Sequence, residues 1–259
     1  MHFKTRILAM TIAGLLPLTA MAIGGPSGPK IDYHTQGHLG EVMMNPYGIA
    51  PLTAIIRDGG YTLEDVKVRI VPKANGADLA YKVSSSQVLT HGGIPVFGLY
   101  PNYVNTVEVS YTRVNGQGKK ESFNDTIKLF APPVYIEASG NATEVEMPYG
   151  VEVKKVDPKF KDRLYLVNNL LVSPPKGSRV VWNNPSGGAL EWCFYPQNAI
   201  IDTKGEVRWY MHVEPIYNVE TIYQSGVMMG FQQDVDGNIT WGYGQRYVKY
   251  DLMGREIYN

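Results

Sequence analysis

The sequence predicts an all-β protein: an N-terminal β-sandwich followed by the opening blade or blades of an incomplete β-propeller. Three observations carry that expectation. Short segments alternate apolar and polar residues, as in "VKVRI" (66–70) and "VEVSY" (107–111), which is the period of a half-buried strand. Gly (27), Pro (17) and Tyr (18) are abundant, which suits many turns and aromatic-rich strands. An Asp/Gly turn recurs at Asp202-x-x-Gly205, Asp236-Gly237 and Asp251-x-x-Gly254, each ahead of a short strand.

At the N-terminus, "MHFKTR" carries Lys4 and Arg6, and an apolar run broken by Pro17 leads to Ala20-Met21-Ala22. The run is short for a membrane span, and small-x-small fits signal peptidase, so residues 1–22 read as a secretory signal cleaved after Ala22. Residues 23–40 are Gly/Pro-rich and polar, an extended leader. Residues 41–137 hold about seven short strands, enough for a sandwich. Val66, Val68 and Ile70 share one face there, and Val107, Val109 and Tyr111 another. Asn115-Gly116 and Gly118 make a hairpin turn into "SFNDTIKL". "APPVYIEASGN" marks a boundary, and 138–160 is a linker that runs into the charge-dense "KKVDPKFKDR", a solvated connector. No segment sustains a 3.6 period, so helix content should be low.

Residues 161–259 are expected to begin a propeller. Gly at each turn end supplies positive φ, and Asp at the start can bond backbone two residues on. Ile200, Val207, Trp209, Ile239 and Trp241 would face a shared core. An ordinary β-meander fits the same pattern. A blade takes about 40 to 50 residues and a propeller about 4 to 8 blades, so this stretch holds at most about two. The chain is therefore expected to be the front of a longer protein. Its C-terminal part should leave Trp209, Trp241 and Ile257 poorly covered and be easier to cleave than the sandwich.

Bulk charge is zero and 44% of residues are hydrophobic. Nothing there favours nucleic acid or an anionic membrane surface. The single Cys193 cannot form an intrachain disulfide and sits among aromatics, as a small buried hydrophobe does. His34 and His38 are four apart near Asp32, a metal-capable spacing on a helix, but Gly37 and Gly40 make a helix unfavourable and a polar leader fits better. His91 lies beside two glycines as a turn residue, His212 reads as blade surface or loop, and His2 belongs to the signal. No catalytic, cofactor-binding or metal residue is assigned.

Five longer stretches carry a resemblance. "NPYGIAPLTA" (45–54), "GGIPVFGLYPNYVNTVEV" (92–109), "FKDRLYLVN" (160–168), "IIDTKGEVRWY" (200–210) and "YVKYDLMGREI" (247–257) are similar to the N-terminal part of the bacterial arylsulfate sulfotransferases. The resemblance implies a periplasmic enzyme with a sandwich followed by a six-bladed propeller. It implies transfer of a sulfuryl group from a phenolic sulfate ester to a phenol through a sulfo-histidine, without a nucleotide sulfate donor or other cofactor. It also implies a homodimer, with the sandwich contributing to the contact. An imidazole is a good nucleophile near neutral pH, and cationic neighbours stabilise the transition state. The family's catalytic histidines and arginine lie on segments after the one resembling "YVKYDLMGREI", beyond Asn259, so this polypeptide alone is expected to be inactive. The alternative reading is a secreted, non-catalytic β-sandwich used for interaction or adhesion.

Overall fold

A computed structural model describes residues 32–134, 136–137, 145–146, 151–169, 197–212, 216, 229–243 and 246–259. Antiparallel strands dominate, with one α-helix and one 3-10 turn among the described residues. Residues 1–22, expected to be a signal, and Cys193 lie outside them.

Two four-stranded sheets form the N-terminal layer pair. The first runs in the order β1 (Asp32–Tyr33), β2 (Val42–Met44), β3 (Thr53–Arg57), β6 (Gly93–Phe97). The second runs β5 (Leu79–Lys82), β4 (Thr62–Ile70), β7 (Tyr103–Val114), β8 (Lys120–Ala131). Val66, Val68, Ile70, Val107, Val109 and Tyr111 are all buried, as their alternation predicts, and join Val42, Ile56 and Val96 of the first sheet in one core. Period two is broken once. The β4–β7 register shifts between Glu64 and Lys67, where Asp65 takes φ 53°. This bulge lets Leu63 and Val66, three residues apart, both point inward. Pro95 sits on β6, an edge strand that tolerates its missing N–H.

Pairing already begins at Asp32, within the stretch expected as an extended leader. Tyr33 Oη accepts from Phe130 N and donates to Phe130 O, and Gln36 makes the same reciprocal pair with Lys128. These side chains cap the free edge of β8 in place of another strand.

Helix content among the described residues is low, as expected, but the short α1 (Ser85–His91) shows no apolar period. Only Val88 is buried on it and Leu89 is exposed. What makes it helical is a capping box between Ser84 and Gln87 and a left-handed Gly92 at its end. His91 is thus the last helical residue and not simply a turn residue.

After β9 (Ile136–Glu137), β10 (Val145–Glu146) and a 3-10 turn (Pro158–Phe160), a three-stranded antiparallel sheet comprises β11 (Tyr165–Asn169), β12 (Gln197–Ile201) and β13 (Val207–Tyr210). A four-stranded meander completes the described chain: β14 (Met229–Gln233), β15 (Ile239–Tyr243), β16 (Arg246–Tyr250) and β17 (Glu256–Tyr258). The recurring turn sits between consecutive strands of both sheets. Asp202 Oδ1 accepts from Lys204 N and Glu206 N, Gly205 N donates to Asp202 O, and Gly205 takes φ 83°. Asp251 and Gly254 repeat every one of these bonds. The middle copy starts two residues earlier than the sequence suggested. Asp234, not Asp236, accepts from Asp236 N and Asn238 N and closes on Gly237. Asn115 and Gly118 build the same turn inside the first domain. The motif is therefore a general hairpin device and not in itself the mark of one architecture.

Ile200, Val207, Trp209, Ile239 and Trp241 do join one core, and that core is continuous with the N-terminal sheets. Trp209 and Trp241 are each 1% exposed, which corrects the expectation that they would be poorly covered. Trp209 donates from Nε1 to Leu252 O at 2.7 Å, and Trp241 stacks on Phe231 and Tyr250. Ile257, on the outer strand β17, is 41% exposed, as expected.

Candidate functional site

The histidines do not converge. His34 is exposed. His38 bonds Asp125 twice, through its backbone N at 3.0 Å and its Nδ1 at 2.7 Å. Asp125 also accepts from Tyr111 Oη at 2.7 Å. Burial pushes the Asp125 carboxyl upward, but the bonds from His38 and Tyr111 outweigh it and hold the group below the ordinary carboxylate range. Asp125 occupies the inward register of β8 with Phe123, Ile127 and Leu129. A carboxylate in phase with a core stripe is a sequence signal for a buried polar network, and "SFNDTIKL" contained it.

His91 lies at the seam between the sandwich and the C-terminal sheets. Its Nδ1 is 2.9 Å from Tyr47 Oη, and its Nε2 is 3.8 Å from Asp251 Oδ2. Burial lowers its pKa, the Asp251 carboxylate partly restores it, and Arg255 lowers it again. His212 comes just after β13 and donates its backbone N–H to Ile49 O at 2.8 Å, so it stitches the loop to the sandwich. No group of three His, Cys, Asp or Glu among the described residues is placed to hold a metal.

The seam is where charge is most deeply buried. Alternation in "EVRWY" points Val207 and Trp209 one way and Arg208 the other, yet all of β13 is buried. The face carrying Arg208 is covered by the sandwich. Its guanidinium lies 3.9 Å from the Tyr100 ring centroid, donates from Nε to Gly98 O at 2.8 Å, and donates from Nη1 to Ala77 O at 3.2 Å and to Asp202 Oδ2 at 3.0 Å. Lys73 pairs with Glu206 beside it at 2.7 Å. No local pattern could reveal Arg208 as a core residue, because its covering surface lies 110 residues away.

Two packed sheets that continue through one core into further antiparallel hairpins define an all-β protein whose N-terminal layer pair is bound to its C-terminal sheets. Comparison with known proteins makes this specific. Residues 41–130 match the arylsulfotransferase Ig-like domain, and residues 150–259 match the arylsulfotransferase (ASST) domain. With both domains present in order, the chain belongs to the arylsulfotransferase family. It is 32% identical over 274 aligned residues to an arylsulfate sulfotransferase of Lelliottia amnigena and 30% identical over 273 to one of Escherichia coli O6:H1 strain CFT073. Each alignment covers 98% of this chain and 44% of the relative. The chain thus spans less than half the length of these relatives.

Proposed function

We propose that this chain supplies the N-terminal part of a sulfuryl-transfer enzyme. A sulfuryl group passes from a phenolic sulfate ester to a phenol acceptor through a sulfo-histidine, with no nucleotide sulfate donor. The observation that carries the reading is the ordered match to both arylsulfotransferase domains. The four-stranded meander β14–β17, turned by the Asp/Gly motif, suits a propeller blade. His34 is exposed, and His38, His91 and His212 are each tied to different neighbours and not to one another, which supports placing the nucleophile outside these residues. The 259 residues alone then give no turnover, because losing such a nucleophile costs many orders of magnitude in rate.

The test is phenol-dependent release from a chromogenic aryl sulfate. The chain alone is expected to show none. Joined to the part of the Lelliottia amnigena relative that it does not match, it is expected to support transfer. Turnover by the isolated chain would refute the histidine assignment, and an inactive but folded chimaera would refute the functional reading.

The same reading places the protein in the periplasm, with maturation after Ala22, and pairs two copies through the sandwich. Mass spectrometry of the exported protein should find Ile23 at its N-terminus; retention of Met1 would overturn the export step. A monomeric mass in solution would overturn the pairing.

A further inference from the structure

The charge-dense segment expected as a solvated connector lies across the seam. A cleft of about 290 Å³ opens between the loop at Gly76–Leu79, the stretch from Val156 to Leu164 and the turn at Asp202. A second opening shares Val156, Thr203 and Lys204 with it. Around the two stand Lys154, Lys155, Lys161, Arg163 and Lys204, none in an ion pair among the described residues. Of the acids lining the two openings, Asp78 is paired with Arg69, Asp202 with Arg208 and Glu206 with Lys73, which leaves Asp162 against five cations. The overall chain is neutral, so this is a local concentration of positive charge.

Arg208 also lines the cleft. Its side chain is fully buried, and Nε and Nη1 are satisfied, but Nη2 has no hydrogen-bond partner among the described residues. Nη2 is also shut off from solvent, so Arg208 contributes to the wall of the cleft and not to its open face. The cleft also has an apolar side, formed by Leu79, Val156 and Leu164.

We infer that this cleft binds an organic oxyanion: a sulfate or phosphate monoester with a small apolar body. The lysines and Arg163 attract and hold the anionic head. The leucines and valine receive the body.

The inference is tested by binding to the intact 259-residue chain, which reads no turnover and so stands or falls apart from the transfer reading. Phenyl sulfate, phenyl phosphate, inorganic sulfate and phenol are titrated calorimetrically at low and high salt. The phenyl esters are expected to bind most tightly, with affinity falling as salt rises. Inorganic sulfate reports the head alone, and phenol the body alone. Lys161→Ala with Lys204→Ala is expected to weaken ester binding by about tenfold or more while leaving the melting temperature unchanged. Both lysines are exposed, so these substitutions spare the fold that an Arg208 variant would disturb. Phenol binding as tightly as its sulfate, unchanged affinity in the double lysine variant, or no binding by any probe would each overturn the site.

Discussion

Arg208 donates to Asp202 at 3.0 Å with neither side chain reaching solvent. The same aspartate holds its own hairpin turn through Oδ1, and the same arginine reaches Gly98 O and Ala77 O in the sandwich. One ion pair thus fixes a turn and docks that turn on the preceding domain. Replacing Arg208 by Met strands a buried carboxylate, which typically costs about 3–5 kcal/mol. Urea denaturation of Arg208→Met should show a loss of that order. Adding Asp202→Asn removes the stranded charge and keeps the turn's acceptor, so the double variant should recover part of it. A change within about 0.5 kcal/mol for Arg208→Met, the range of ordinary surface substitutions, would contradict this docking role.

The continuous core bears on cooperativity. Counting blades predicts a resistant sandwich and a separately labile C-terminal part. The shared cluster from Val42 to Tyr250 predicts one transition instead. With Trp182 and Trp192 replaced by Phe, fluorescence of Trp209 and Trp241 should change together with the far-UV β signal. Two separated transitions, or a stable proteolytic core ending between about 132 and 160 in the unfolding range, would favour separate units.

The repeated turn gives a graded series. Gly237 has φ 83° and open space where a Cβ would stand, the nearest atom being Gln233 Nε2 at 3.8 Å. Gly237→Ala should therefore report backbone strain alone, about 1–2 kcal/mol. Gly254→Ala adds a contact at 2.7 Å with Ile49 Cγ1, and Gly205→Ala one at 2.6 Å with the rigid Val151 O. The expected order of destabilisation is Gly237, then Gly254, then Gly205. Asp234→Ala should cost about 1 kcal/mol or more, while Asp236→Ala should be nearly neutral. An equal effect at Asp234 and Asp236 would mean the turn frame is misassigned.

Sandwich strands were legible because burial on one face writes itself as alternation in Val66–Ile70 and Val107–Tyr111. The Asp/Gly turns were legible for a local reason too, since carboxylate, carbonyl and glycine sit within four positions. The frame of the middle copy was not, because Asp234-Val-Asp236-Gly237 offers two acidic starts and only hydrogen bonding selects one. α1 escaped because capping, not an apolar stripe, defines it. The seam escaped for a stronger reason. Arg208, His91 and Trp209 find their partners across long sequence separations, and nothing in "EVRWY" or "THGGIP" encodes which distant surface covers them.

His91 gives a pH dependence whose sign is set by burial. Its pKa in the folded protein is lowered from the usual value near 6.5, by burial first, with Arg255 adding and Asp251 opposing. The unfolded chain therefore takes up the proton first. Stability should be intact above about pH 6.5 and decline as pH falls through that value. Tyr47, Asp251 and Arg255 are the charged and titratable groups facing the ring. Urea midpoints between about pH 7.5 and 5 should fall more steeply for the wild type than for His91→Gln. Parallel slopes would show that the ring does not titrate against folding.

Asp125 gives the opposite sign in a lower window. Burial raises its pKa, but the bonds from His38 N, Tyr111 Oη and His38 Nδ1 leave it below the ordinary carboxylate value of about 3.9. A depressed carboxylate contributes stability that is present above its unfolded pKa and is lost as pH falls through the folded one. Acid should therefore loosen the tie between residues 33–38 and β8 only below about pH 4. Tyr111→Phe removes one hydrogen bond to a charged group, worth about 2 kcal/mol at neutral pH. It also relaxes the carboxyl toward its ordinary pKa, so acid unfolding should begin at a higher pH than in the wild type. Asp125→Asn cannot titrate and should lose this acid-dependent step, although it is less stable at neutral pH because its amide cannot accept all three bonds. Hydrogen exchange at His38 and Lys128 would locate the effect, since Gln36 and His38 hold the strap on either side of it. If acid unfolding of Tyr111→Phe began at the same pH as in the wild type, the network would be packing alone, and Asp125 would have no titration linked to the fold.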